Sequence, residues 1–120
     1  MLSVKHYLGS CHCGKVQFEI NCEEITQAYR CNCSICRRKG ALMSANYFSP
    51  QQMTVTEGKE FLSRYQFGDH DVYHYFCQSC GIYPFHDGPA NPEHYRVNLG
   101  CIDELVLEQL AVKYIDGASF

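Results

Sequence analysis

The sequence predicts a mainly β fold with little helix and with metal sites on the loops between strands. Three observations carry that expectation. Apolar and polar residues alternate over several short segments, the period-two mark of half-buried strands. Helical periodicity is weak throughout. Seven of the nine cysteines fall into three tight clusters, Cys11-His-Cys13, Cys31-Asn-Cys33-Ser-Ile-Cys36 and Cys77-Gln-Ser-Cys80.

The elements follow in chain order. Val16, Phe18 and Ile20 alternate with Lys15, Gln17 and Glu19, which reads as a strand with one buried face. Ala28 to Arg30 forms a short strand ending at Cys31. Ser34 to Lys39 reads as a turn of helix ended by Gly40, a residue suited to a left-handed cap. Ser49-Pro50-Gln-Gln-Met offers a capping residue and a first-turn proline, and so another helical turn. Phe61, Ser63, Tyr65 and Phe67 share one face of a strand closed by Gly68-Asp69, and Val72 to Phe76 returns beside it. Tyr95, Val97 and Leu99 alternate with Arg96, Asn98 and Gly100. Leu105 to Leu110 stays open between a helical turn and a loop. Val112 to Ile115 makes the last strand. No repeat, low-complexity segment or linker interrupts the chain, so residues 1–120 are expected to form one domain.

Composition narrows the function classes. The formal charge is -3 and the one basic run is Arg37-Arg38-Lys39, which argues against a nucleic-acid or membrane surface. No apolar stretch approaches the roughly 18 residues of a membrane span, and the amino terminus lacks a secretory hydrophobic region. A soluble, cytoplasmic protein is the expectation. An odd number of cysteines at C-x-C and C-x-x-C spacing then favours metal over disulfides. Rossmann, phosphate-loop and nucleophile-elbow patterns are all missing from the sequence.

Four thiolates close a tetrahedral zinc ion and make it structural; three leave one position open for a ligand. Cys77-Gln-Ser-Cys80-Gly81 has the shape of a zinc knuckle, and Cys11-His-Cys13-Gly14 can supply the other half of a closed site. Cys31, Cys33 and Cys36 can bind a second ion locally. Cys22 or Cys101 would close that site if either joined it, although both fit equally as small core residues. Spacing alone also allows Cys31 and Cys33 to pair with Cys77 and Cys80.

Other candidates have plain readings beside them. His12 lies between two thiols and reads as exposed in preference to ligating. His6, His70, His74, His86 and His94 read as surface or satisfied core residues. Asp69-His70-Asp71 reads as a turn. Tyr47, Phe48, Tyr83 and Phe85 can wall a pocket or simply pack. Zinc with three thiolates carries a net charge of about -1. Arg37, Arg38 and Lys39 can offset it and attract a carboxylated thiol, or form a solvated basic turn.

The motif order Gly9-Ser10-Cys11-His12-Cys13-Gly14-Lys-Val-Gln-Phe18, Cys31-Asn-Cys33-Ser34-Ile-Cys36-Arg37 and Phe76-Cys77-Gln-Ser-Cys80-Gly81 resembles the glutathione-dependent formaldehyde-activating enzyme family. That family also includes proteins similar to centromere protein V. The resemblance runs from about Tyr7 to Ile115, and Gly81-Ile-Tyr-Pro-Phe-His86 and Val97-Asn-Leu-Gly-Cys101 look most like its short bacterial members. It implies the all-β fold shared by translationally controlled tumour protein and methionine sulfoxide reductase B. It implies a structural zinc on Cys11, Cys13, Cys77 and Cys80, and a second, catalytic zinc on Cys31, Cys33 and Cys36. The implied activity is a carbon–sulfur lyase-type reaction. The thiolate of glutathione, favoured by the metal, attacks formaldehyde and gives S-(hydroxymethyl)glutathione. A related thiol or another small aldehyde fits the same chemistry. The proton donor for the product oxygen is not evident in the sequence. The competing class is a zinc-binding module without catalysis, acting as a thiol carrier or interaction domain.

Overall fold

A computed structural model describes residues 4–68, 71–88 and 93–119. The expected turn at Asp69-His70 and the first three residues lie outside the described residues. Among the described residues, ten short strands form three sheets. The first sheet has the order β1 (Lys5–Ser10), β2 (Gln17–Cys22), β5 (Met53–Glu57). The second places β3 (Gln27–Cys31) between β10 (Ala111–Ile115) and β4 (Met43–Ser44). The third is a meander of β6 (Leu62–Tyr65), β7 (His74–Cys77), β8 (Phe85–Asp87) and β9 (Tyr95–Val97). Among the described residues one α-helix, α1, spans Ser34–Lys39 and ends at Gly40 in the left-handed region. No helix among the described residues is long and apolar enough to cross a membrane.

The alternation read from the sequence drives the packing. In β2, Phe18 and Ile20 point inward and Gln17 and Asn21 outward. Phe18 meets Phe85 of β8 edge to face, with ring centroids 5.9 Å apart, and Phe85 meets Tyr75 and Tyr95 at 5.2 and 4.9 Å. These contacts join the first and third sheets into one core with Tyr7, Ala28, Phe48, Met53, Val97, Leu99 and Ile102. Burying each large side chain contributes about 1.5–3 kcal/mol. Position 9 faces the Phe18 ring so closely that any Cβ there would collide with it.

The helical turn expected at Ser49 is not a helix, and the segment left open at Leu105 to Leu110 contains one short turn. Ser49 to Met53 is a hydrogen-bonded turn in which the Ser49 carbonyl accepts from Gln52 and Met53. Gln52 uses its side-chain oxygen to accept from the Ser49 amide (3.1 Å), and Met53 leaves at once as the first residue of β5. Leu107–Gln109 forms one turn of 3-10 helix. Phe61 closes a short 3-10 turn before β6, so it does not begin the strand. It packs instead with Leu62 against buried Cys11, Val16 and Cys77.

The pairing of β10 with β3 is parallel, with Ile115 opposite Cys31. Asn32 extends the tie. Its amide donates to the Ile115 carbonyl (3.1 Å), its side-chain nitrogen to Asp116 (2.9 Å), and its side-chain oxygen accepts from Ala118 (2.9 Å). The segment after β10 is thereby fastened beside the second cysteine cluster.

Candidate metal centres and the cavity beside them

The four outer thiols converge from two turns. Cys11 and Cys13 lie in the turn after β1; Cys77 ends β7 and Cys80 sits in the turn before β8. Their sulfurs lie within 4.8 Å of one another. Two sulfurs ~2.3 Å from one tetrahedral zinc stand ~3.8 Å apart. The Cys11–Cys13 and Cys13–Cys77 separations are 3.6 and 3.7 Å, so the donor set fits that ion. Both turns need a left-handed residue directly after the last thiol, and Gly14 (φ 83°) and Gly81 (φ 78°) supply it. The Val16 amide donates to the Cys11 sulfur at 3.4 Å. Burial works against a charged Cys80, but the backbone amides of Cys13 and Ile82 outweigh it and hold that thiol down at about 6. The cluster is sunk into the packing, with Cys11 and Cys77 buried.

Cys31, Cys33 and Cys36 form the second group, again with all sulfurs within 4.8 Å. The local sequence explains the convergence. Cys31 ends β3, Cys33 caps the amino end of α1, and Cys36 lies one turn into that helix. The Cys33 amide donates to the Cys31 sulfur at 3.4 Å. Burial raises the Cys33 thiol, yet the first-turn amides of Cys36 and Ile35 and the flanking thiols bring the net shift downward. Burial pushes Cys36 up to about 12 against the pull of Lys39. Cys22 and Cys101 belong to neither group: both are buried in the main core. Burial first, then nearby Cys11 and Cys80, raises the Cys101 thiol to about 12, so it lies on the four-thiol side of the molecule.

The three thiols line a cavity of about 550 Å³ that also takes in Tyr47, Phe67, His74, His86 and Arg96. Sheet register explains the far wall. His74 on β7 stands opposite His86 on β8, which stands opposite Arg96 on β9. Sequence reading treated both histidines as ordinary. They are buried, at 7% and 8% exposure, and both face the cavity. One signal pointed to the pair: they are equidistant from Cys80, the turn residue of the hairpin that carries them. Burial, with the Lys39 charge behind it, lowers His74 to about 4. Burial lowers His86 to about 3, with Lys39, His74 and Arg96 acting in the same direction and the Asp87 backbone against it.

Of the four aromatics read as pocket wall or packing, Tyr47 lines the cavity. Tyr83 stands one layer behind, its hydroxyl 2.5 Å from Nδ1 of His74, and burial raises it far above its ordinary range. Phe48 and Phe85 are core. The basic run divides. Arg37 and Arg38 are exposed, and Arg38 donates to the Ser34 carbonyl at 2.8 Å. Lys39 turns inward, with a buried Nζ that lacks a hydrogen-bond partner among the described residues and lies 4.0 Å from the Tyr83 ring centroid. Burial lowers its pKa, and Cys36, Cys33 and Cys31 raise it. Arg96 lies over the Tyr47 and Tyr29 rings at 4.4 and 5.0 Å and donates to the Ala45 carbonyl.

Fold and site together define a mainly β protein with two thiol clusters of metal-binding geometry, one sunk in the packing and one opening on a cavity. The family model for the glutathione-dependent formaldehyde-activating enzyme matches residues 6–115. The chain belongs to that family. A Rhodobacter sphaeroides protein, solved by crystallography in a structural genomics programme, is 36% identical, covering 88% of this chain and 99% of its own, with a TM-score of 0.75.

Proposed function

We propose that the protein is a zinc-dependent carbon–sulfur bond enzyme. It joins the thiol of glutathione, or a related small thiol, to formaldehyde or another small aldehyde. The observation that carries this reading is the difference between the two clusters: Cys31, Cys33 and Cys36 form the wall of a cavity, and they number one fewer than a closed tetrahedral site needs. Cys11, Cys13, Cys77 and Cys80 would hold a structural zinc that ties the two turns together. Cys31, Cys33 and Cys36 would hold the second ion, which, when bound, favours the thiolate form of a substrate thiol at its free position.

The remaining groups prepare the cavity. Lys39 offsets the negative charge of the thiolate cluster from behind. Phe67 and Tyr47 shield the reacting atoms from water, and Arg96 sets a fixed cation at the far wall for a carboxylated thiol. Nine free cysteines and a thiol substrate fit a reducing compartment such as the cytoplasm.

A native mass spectrum with glutathione tests the binding half of this reading. The expected species carries two zinc ions and one glutathione. Magnetisation-exchange spectroscopy tests the catalytic half, with acceleration of the glutathione–formaldehyde exchange above its spontaneous rate as the expected result. Glutathione bound without acceleration would indicate a carrier. Two zinc ions with no thiol at millimolar glutathione would overturn the open-site reading.

A further inference from the structure

We propose that His74 and His86 form a catalytic pair of opposite tautomers side by side on the far wall of the cavity, with His86 Nε2 accepting the proton of the thiol and His74 Nε2–H donating a hydrogen bond to the carbonyl oxygen that becomes the alkoxide. This rests on the aldehyde–thiol reading above.

The tautomers follow from the partners. Nδ1 of His86 lies 2.8 Å from the backbone carbonyl of Asp87. A carbonyl only accepts, so Nδ1 carries the proton and Nε2 keeps its lone pair. Nδ1 of His74 meets the Tyr83 hydroxyl, whose one hydrogen-bond partner among the described residues is that nitrogen. A buried hydroxyl with a single available acceptor donates to it. His74 therefore accepts at Nδ1 and carries its proton on Nε2. Neither Nε2 has a protein partner among the described residues, and both rings line the cavity, with centroids 5.7 Å apart. One imidazole thus offers a lone pair and the other an N–H to the same space.

The step balances. The S–H bond of the thiol breaks and its proton passes to Nε2 of His86. The sulfur bonds to the aldehyde carbon as the carbonyl π pair moves onto oxygen. That oxygen accepts a hydrogen bond from His74 Nε2–H while its charge develops. The His86 imidazolium then returns the proton to the oxygen. The net change is one S–C and one O–H bond formed, one S–H bond and one C=O π bond lost, with no change in charge. His74 serves as a neutral donor and keeps its own proton, because Tyr83 behind it is poorly disposed to become an anion. Burial keeps both rings neutral at rest and works against a charged His86, while the Asp87 carbonyl bonded to Nδ1 acts the other way and favours the transient imidazolium.

Two readouts test the pair. Long-range proton–nitrogen correlation spectra of the zinc-loaded protein should show His74 as the Nε2–H and His86 as the Nδ1–H tautomer; the opposite tautomer at either position overturns the proposal, whatever the activity. Exchange kinetics then test the roles in variants shown by native mass spectrometry to retain two zinc ions. His86→Asn keeps a donor for the Asp87 carbonyl but loses the base, and should lower kcat about 100-fold with little change in glutathione binding. His74→Leu should lower kcat about 100-fold, and His74→Gln, which restores an N–H toward the cavity, should recover most of that loss. Wild-type protein that accelerates nothing would sink the aldehyde reading itself. Wild-type acceleration with undiminished kcat in His86→Asn would sink the pair alone.

Discussion

Gly117 packs so tightly on Cys31 that a Cβ at position 117 would collide with the Cys31 sulfur and stand 3.2 Å from the Cys33 Cβ. The space that an alanine methyl would take is already occupied by the thiol cluster. Gly117→Ala should therefore displace either the sulfur or the turn fastened by Asn32. The expected outcome is weaker zinc retention at Cys31, Cys33 and Cys36, with the four-thiol site unaffected. Chelator competition read by native mass spectrometry checks it: one ion should leave early and one should stay. Retention of both ions as in the wild type would mean the turn simply moves aside.

The two clusters should respond differently to loss of a thiol. Cys77 is fully buried between sheets and belongs to the smaller packing cluster with Cys11 and Val16. Cys77→Ser should lose one zinc and the cooperative fold with it, since a structural site contributes its binding energy to folding. Cys33→Ser should lose the other zinc and keep a native circular dichroism spectrum. Full zinc content in Cys33→Ser would count heavily against the three-thiolate site.

Lys39 gives a prediction of opposite signs. Its ammonium is buried without a hydrogen-bond partner among the described residues, a cost in the metal-free protein. Once a zinc with three thiolates adds a net negative charge nearby, the same ammonium becomes a counter-ion. Lys39→Met should raise or leave unchanged the urea midpoint of the zinc-free protein and weaken zinc affinity at the second site by about 10–100-fold. Competition with a fluorescent zinc chelator measures the second effect, and unchanged affinity would remove Lys39 from the site.

Acid should destabilise the fold through the cavity histidines. Burial holds His74 at about 4 and His86 at about 3 in the folded protein, with the Lys39 charge acting the same way. The unfolded chain protonates these rings near 6.5. Below that value the unfolded state binds more protons than the native state, so stability falls with falling pH. The loss runs from about pH 6.5 to the folded values, at up to about 1.4 kcal/mol per pH unit for each ring, and contributes nothing above pH 6.5. Urea midpoints of the wild type and His86→Asn at pH 6.5 and 5.0 check it. The variant should lose less stability over that interval; equal losses would show that His86 is not held neutral.

What could be read from the sequence was local. β2 and β9 announce themselves because their inward positions hold Phe18, Ile20 and Val97. β1 does not: one of its inward positions is Gly9, left small to admit the Phe18 ring, so the apolar alternation is broken. β8 is hidden for another reason, since His86 and Asp87 are buried polar residues in a central strand. The thiol clusters were legible because cysteines a few residues apart show in any short window. The cavity was not, because His74, His86 and Arg96 meet only through cross-strand register. The parallel pairing of β10 with β3 is a long-range choice that no short window contains.

That pairing has a temporal consequence. Asn32 and Asp116, which clasp the two segments together, are 84 positions apart. During synthesis Cys31, Cys33 and Cys36 emerge long before residues 111–119, and one C-x-C-x-x-C stretch can take up a metal ion unaided. For that interval the three sulfurs are a naked chelating loop, open to any metal or oxidant the cell presents. The turn around Gly117 arrives later and covers one side of them. The side of the cluster that this turn covers is therefore bare until some eighty residues after the thiols have been made.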